Sequence, residues 1–508
     1  MADTVQGNGL HDVMAWTLQT LQTLMHSFSN SVTVDASGRP CVNDEIIERL
    51  STTLEVAVEV TCWHFHLESG NGATTWNAPS TSQNAFHPGK EWRSLLVQPS
   101  WMTTLFSFYR DIRQMGLPTL ARKVRHLLIQ YASLSGEVFS NDVEKIHFMS
   151  HVFQGCLSVL SEPLLDTMTN VYSSREAAEH EILDMCQLIL RLVTNLTSFG
   201  KLEGLLTSSI LQPLVQHLSS LCCKLLLSAT TEISARSTVT GFSIDDVWQI
   251  TAFEDLLDAW MVILTDPLAD QMLKSQSVQI EAATYASFIH MLQEYSAPVF
   301  EHYIQLQLVI ASMEALEEEE ETDEVDTAVS FHEQLVSLGT LGRVNASRTL
   351  QQLHQAVGER LERLKMVDVN ATSLSPDAAQ LFEQMHFLVR LTGIVLADDY
   401  EGETPQIPAE IHQTSRAAST LANDPVVQMI QLLFSIFDVE GYRFRTASSP
   451  QNDTLSPYLA EQLLETLTRV VVVYLAPSEE VNGPVSPHLI HEFDVGVDKG
   501  KYMHLHTN

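Results

Sequence analysis

Residues 101–134 read WMTTLFSFYRDIRQMGLPTLARKVRHLLIQYASL, and their apolar spacing decides the fold class. Trp101, Leu105, Phe108, Tyr109, Ile112 and Met115 form one stripe. Leu117, Leu120, Val124, Leu127, Leu128, Tyr131 and Leu134 form a second almost at once. Spacing of i, i+3, i+4 and i+7 puts each set on one helix face, whereas a strand would alternate. Two such helices in succession make a pair that buries its stripe against the next pair.

The same pattern recurs in both directions along the chain. Leu10, Val13, Met14, Leu18, Leu21, Met25 and Phe28 open it, followed by Ile46, Ile47, Leu50, Leu54, Ala57, Val58 and Cys62. Further stripes run over 143–160, 182–196 and 205–227, and Val247, Phe253, Leu256, Leu257, Trp260, Met261 and Leu264 make another. Ser375, Asp424 and Ser456 each stand before a proline, which reads as a helix N-cap followed by Pro at the first helical position. Roughly fourteen helices are expected, with no strand pair and no heptad long enough for a coiled coil. Helix pairs with a repeat near ~40 residues match the size of HEAT or armadillo units. The expected fold is therefore all-α, with HEAT-type antiparallel helix pairs building a curved α-solenoid. Two separate helical bundles are the competing arrangement.

The 508 residues exceed what one core supports, since single cores stop growing near ~250–300 residues. With 21 glycines and 18 prolines the chain has roughly two thirds of the usual share of breakers, which favours long helices. The formal net charge is −35. A surface this negative repels phosphate, so nucleic acid and anionic membrane are excluded as main partners. The acidity either keeps a large scaffold soluble or favours encounter with basic proteins. None of the six cysteines forms a C-x-x-C pair, and most lie in apolar helical patterns. No apolar signal region opens the chain, and the longest apolar run, Val470–Ala476, is too short to span a bilayer. The chain reads as nuclear or cytoplasmic, which makes the sequons at Asn195, Asn345, Asn370 and Asn452 chance matches.

No catalytic motif is complete: neither a phosphate-binding loop nor a nucleophile elbow is present. His-Glu pairs occur at His180, His332 and His491, but the second zinc-ligand position holds Asp184, Val336 and Val495. Cys62, His64 and His66 lie two apart and would diverge on a helix. The expectation is a binding protein with no cofactor or metal, not an enzyme.

Charge divides the chain. Residues 1–313 and 331–495 read as HEAT-like repeats, 314–330 as an acidic loop and 496–508 as an irregular tail. The run Glu314–Asp326, EALEEEEETDEVD, includes Glu317, Glu318, Glu319, Glu320, Glu321, Asp323 and Glu324. It is either a solvated loop or an electrostatic arm for a basic partner. Asp398, Asp399, Glu401 and Glu403 crowd the turn after a helix that ends near Ala397. Carboxylates are disfavoured at a helix C-terminus, so this cluster is either a cation-binding feature or a tolerant exposed turn. Arg110, Arg113, Arg122, Lys123 and Arg125 form a basic cluster over two helices, read as balancing local charge.

The segments His332–Ala346, HEQLVSLGTLGRVNA, and Met385–Ile411, MHFLVRLTGIVLADDYEGETPQIPAEI, resemble the exportin-4 family of the importin-β (karyopherin) superfamily. Glu91–Arg113 and Phe253–Asp266 add weaker support in the same order. The resemblance covers the chain from about residue 10 to about 495. It implies a nuclear export receptor that binds protein cargo cooperatively with Ran-GTP, each ligand raising the other's affinity, and that shuttles between nucleus and cytoplasm past nuclear pore proteins. Cargo of the family includes a translation factor carrying hypusine, a long cationic lysine derivative, and Smad-type regulators. Family members are much longer, so the resemblance implies a central portion, with the repeats that make the main Ran contact preceding Met1. The alternative is an α-solenoid adaptor that scaffolds a protein complex without Ran.

Overall fold

The computed structural model of the chain describes residues 2–34, 40–62, 86–160, 174–197, 211–236, 242–265, 282–315, 324–371, 373–398, 405–447 and 454–475. Sixteen α-helices lie among them, close to the number the periodicity predicts. The fold is an all-α stack of helical repeats. A two-residue antiparallel pair, β1 (Thr33–Val34) with β2 (Pro40–Cys41), joins the first two helices, a ladder too short to leave an alternating pattern.

The chain divides into two compact units: residues 1–218 with 251–268, and 219–250 with 269–508. The division does not fall at the acidic run. In the first unit, α1 (Ala2–Ser31) pairs with α2 (Asp44–Thr61), and α4 (Pro99–Gln114) with α5 (Pro118–Ala132). The short α3 (Arg93–Leu96) precedes α4, and α6 (Asp142–Leu160) pairs with α7 (Arg175–Thr197). Helices α2, α5 and α7 pack in succession as one layer, and α4 packs on α6 in the other. There Phe28 of α1 meets Phe108 of α4 edge to face at 5.3 Å.

The two stripes that open the sequence reading are core. Trp101, Leu105, Phe108, Tyr109 and Ile112 are buried on α4, as are Leu120, Val124, Leu127, Leu128 and Tyr131 on α5. Gly116 makes the turn between them at φ 68°. There the Leu117 N–H reaches back to the Ile112 carbonyl at 3.2 Å and the Gly116 N–H to that of Arg113 at 3.0 Å, the left-handed helix stop that glycine adopts without strain. Gly155 of α6 lies against the Phe106 ring of α4, where a Cβ would come within 2.1 Å of a ring carbon. Among the described stripe members, Val13, Val143, Leu227 and Cys62 face outward instead.

Helix α8 (Leu211–Arg236) enters the second unit at Ser219, and α9 (Trp248–Leu264) belongs to the first unit from Thr251. The second unit continues with α10 (Ala282–Glu314), α11 (Glu324–Arg343), α12 (Ala346–Leu364), α13 (Pro376–Leu396), α14 (Ala409–Ala417), α15 (Pro425–Thr446) and α16 (Pro457–Val470). Helix α13 packs on both α10 and α16, while α12 packs on α15. Apolar residues go all round α13, among them Leu381, Met385, Leu388, Val389, Leu391, Ile394 and Val395, all buried. A helix apolar on every side is one enclosed by others.

The three Ser/Asp-Pro signals are N-caps. Ser375 accepts from the Ala378 N–H, Asp424 from the Val426 N–H at 2.9 Å and Ser456 from the Leu459 N–H at 3.2 Å. Of the expected acidic loop, Glu314 closes α10 and residues 324–330 are already helix, while 316–323 lie outside the described residues.

Candidate protein-interaction surfaces

Two members of the basic cluster on α4 and α5, Arg113 and Arg125, point inward, while Arg122 is exposed. Arg113 pairs with Glu181 of α7 at 3.0 Å, Arg125 with Asp184 at 2.8 Å, and Tyr109 donates its hydroxyl to Glu181. Arg113, Arg125 and Glu181 are fully buried. Lys123 bonds Glu55 of α2 at 2.9 Å. Burial pushes the Asp184 carboxyl up, but the His126 hydrogen bond and the Arg125 and His126 charges outweigh it and hold it below the usual range. These charges join α4, α5 and α7, and Arg113 and Arg125 are not presented to a partner.

Two sequons are likewise structural. Asn195 is buried and donates to the Ala132 and Leu134 carbonyls at 2.8 Å each. Asn345 caps α12 and donates to the Gln293 carbonyl at 3.3 Å.

The acidic turn after α13 begins on a closed neck. The Asp398 N–H donates to the Gln406 carbonyl at 3.0 Å, which ties the two ends of the segment together. The Asp398 carboxylate pairs with Arg343, the last residue of α11, and Tyr474 donates to the Leu396 carbonyl. A carboxylate beside a helix C-terminus is thus compensated by a guanidinium only 7% exposed. Asp399, Glu401 and Glu403 lie outside the described residues, as do Glu317, Glu318, Glu319, Glu320, Glu321 and Asp323. Glu324 opens α11 by its backbone, and nothing is described of its side chain. Of the sequence-chosen acids, only Asp398 can be followed atom by atom, and it is engaged within the fold.

An open cleft of about 590 Å³ lies where α12 gives way to α13, lined by Met366, Val367, Asp368, Leu374, Asp377 and Leu381. Met366 is 84% exposed. One wall is fixed by buried Arg443 of α15, which donates to the Val367 carbonyl at 3.0 Å and the Thr454 carbonyl at 2.7 Å. An exposed thioether beside carboxylates suits a partner with apolar and basic side chains. Sequence reading passed over it because 365–375 reads as a plain connection. The available signal was Met366, which falls off the buried α12 stripe.

Among the described residues no three His, Cys, Asp or Glu side chains gather as metal ligands, and no helix is long and apolar enough to cross a membrane. Cys62 caps the end of α2 and is exposed, while His64 and His66 lie outside the described residues.

A family model described as Exportin-4 matches residues 11–498. A curated relative, Exportin-4 of Dictyostelium discoideum, is 22% identical over 483 residues, which cover 89% of this chain and 39% of the relative. The chain thus spans well under half the length of that relative.

Proposed function

The chain belongs to the exportin-4 family of karyopherin-type transport receptors, and from that premise we propose that it serves export of protein cargo from nucleus to cytoplasm in a complex with Ran-GTP. The family match over nearly the whole chain carries this reading. Two physical features support it. Helical repeats offer surface from many short elements, and a net charge of −35 favours encounter with basic cargo over nucleic acid. A long cationic side chain such as hypusine suits the acids at 399–403 and 317–324, and Smad-type regulators are a second cargo class. Passage through the pore requires contacts with nuclear pore proteins.

In this account the central repeats hold cargo, and Ran-GTP strengthens that hold until hydrolysis releases both ligands. Removing the protein from its source cells, then restoring it, tests the proposal. A fluorescent basic cargo collects in the nucleus on removal and returns to the cytoplasm on restoration. Cargo distribution unchanged by removal contradicts export, and cargo capture that ignores Ran makes the chain a Ran-independent scaffold.

A further inference from the structure

The sequence holds 20 histidines, and one pair among them is spaced four residues apart: His147 and His151 of α6. One helical turn puts both on the same face. Their ring centres lie 4.7 Å apart, with the planes inclined at 62°. His147 is exposed and His151 half-buried, so the pair opens to solvent. Phe148, Val152 and Phe153 carry the buried face of the helix.

A second observation orients one ring. His151 Nδ1 lies 2.8 Å from the His147 carbonyl oxygen. A carbonyl only accepts, so Nδ1 donates, and the neutral ring then keeps its lone pair on Nε2. Metal-bound imidazoles are held in this way, the second nitrogen donating to a carbonyl or carboxylate. Among the described residues the His147 ring has no hydrogen bond or ion pair, only the neighbouring His151 ring. Glu144, one turn earlier, is engaged elsewhere: Arg93 lies at 2.7 Å, and the Ser140 N–H donates to it at 2.7 Å.

The spacing suits a shared ion. An ion ~2.0–2.1 Å from one nitrogen of each imidazole lies roughly 3.2 Å from each ring centre. Centres 4.7 Å apart then subtend about 95° at the ion. That angle lies between the square-planar geometry of Cu2+ and the tetrahedral geometry of Zn2+. The likeness to a zinc hydrolase stops there. Its helix carries a glutamate general base directly after the first histidine, and that position holds buried Phe148. No third His, Cys, Asp or Glu joins the pair among the described residues. The chemistry is therefore binding and not hydrolysis.

We propose that His147 and His151 chelate one divalent transition-metal ion of the imidazole-binding class, Cu2+ or Zn2+, through one nitrogen of each ring, with water completing the coordination. His151 contributes Nε2. The site lies within the first unit and does not depend on the transport reading. An ion held there staples one turn of α6 from outside. It stabilises the folded chain according to its occupancy, because the unfolded chain does not hold the two rings together.

The test uses the full chain with its exposed thiols alkylated, Cys41 and Cys62 among them, since thiolate competes for these ions. Cu2+ and Zn2+ are titrated separately by calorimetry, and electron paramagnetic resonance of the Cu2+ form counts the bound nitrogens. One site is expected, with two imidazole nitrogens in the Cu2+ spectrum, and the ion that binds at the lower concentration identifies the occupant. His147→Gln and His151→Gln each weaken that site about tenfold or more, since loss of an outer-shell partner alone costs that much. The double variant is no weaker than the singles, because a chelate is lost with its first arm. The nitrogen count of the parent decides the case should a variant fail to fold. The proposal is overturned if neither ion binds, if either single variant binds as tightly as the parent, if the two losses add as for independent rings, or if the parent spectrum shows fewer than two nitrogens.

Discussion

Arg343, which ends α11, is joined through its guanidinium to Asp398, the second residue past α13. The pair fixes the neck from which the acidic segment departs, and it separates two roles that the sequence alone merges. Asp398 stabilises the fold, whereas Asp399, Glu401 and Glu403 remain the candidates for contact. Breaking a buried pair leaves an uncompensated charge, which costs about 3–5 kcal/mol when burial is complete. Because Asp398 keeps 24% exposure, Asp398→Ala is expected at the lower end, about 3 kcal/mol. Urea unfolding of parent and variant checks this, and an unchanged midpoint would refute the structural role.

Neutralising the other three acids has a different signature. Asp399→Asn, Glu401→Gln and Glu403→Gln together should weaken binding of a basic cargo and flatten its salt dependence, with little change in unfolding. Titrations of the cargo at two ionic strengths distinguish the outcomes. Equal affinity and equal salt slope would remove this turn from the contact surface.

Gly155 gives a packing test. Alanine is the better helix former by up to ~1 kcal/mol, so an open site would gain from Gly155→Ala. Here the added Cβ would overlap the Phe106 ring, and overpacking costs about 1–3 kcal/mol. Gly155→Ala should therefore destabilise, and adding Phe106→Leu should restore part of the loss. A raised melting temperature for the single variant would show that α4 and α6 are not in this close contact.

Lys145 of α6 gives a pH test. Burial pushes its ammonium down to about 7, against the opposing charge of Asp142. The folded value lies below the ordinary lysine value, so the folded state disfavours the charged form. Stability linked to this group is therefore lost as pH falls toward 7 and is present above the unfolded value of about 10.4. Lys145→Met should be stabilising at pH 6 and lose that advantage by pH 10. Thermal unfolding of both proteins at the two pH values reads the difference directly, and a constant offset would contradict the shift.

Much of the fold was legible because burial of a helix leaves a period in the sequence. Every apolar member of the Trp101–Ile112 stripe is buried, and Ser375, Asp424 and Ser456 cap the helices their prolines announce. Val143, at 76% exposure, shows the limit, since a residue at the first turn of α6 can match the period without facing a neighbour. Pairing across the stack was not legible. Arg113 and Arg125 read as balancing charge, but their carboxylates lie 68 and 59 residues away on α7, and no local spacing records which helix will be adjacent.

The proposed transport rests on coupling between two ligands. The most direct measurement is the Kd of a basic protein cargo for the receptor as it occurs in its source cells. It is taken without Ran, with Ran-GDP and with Ran bound to a non-hydrolysable GTP analogue. The account predicts that the GTP-analogue form tightens cargo binding by roughly 5–150-fold, with cargo tightening Ran by the same factor. Identical cargo affinity in all three conditions would contradict it.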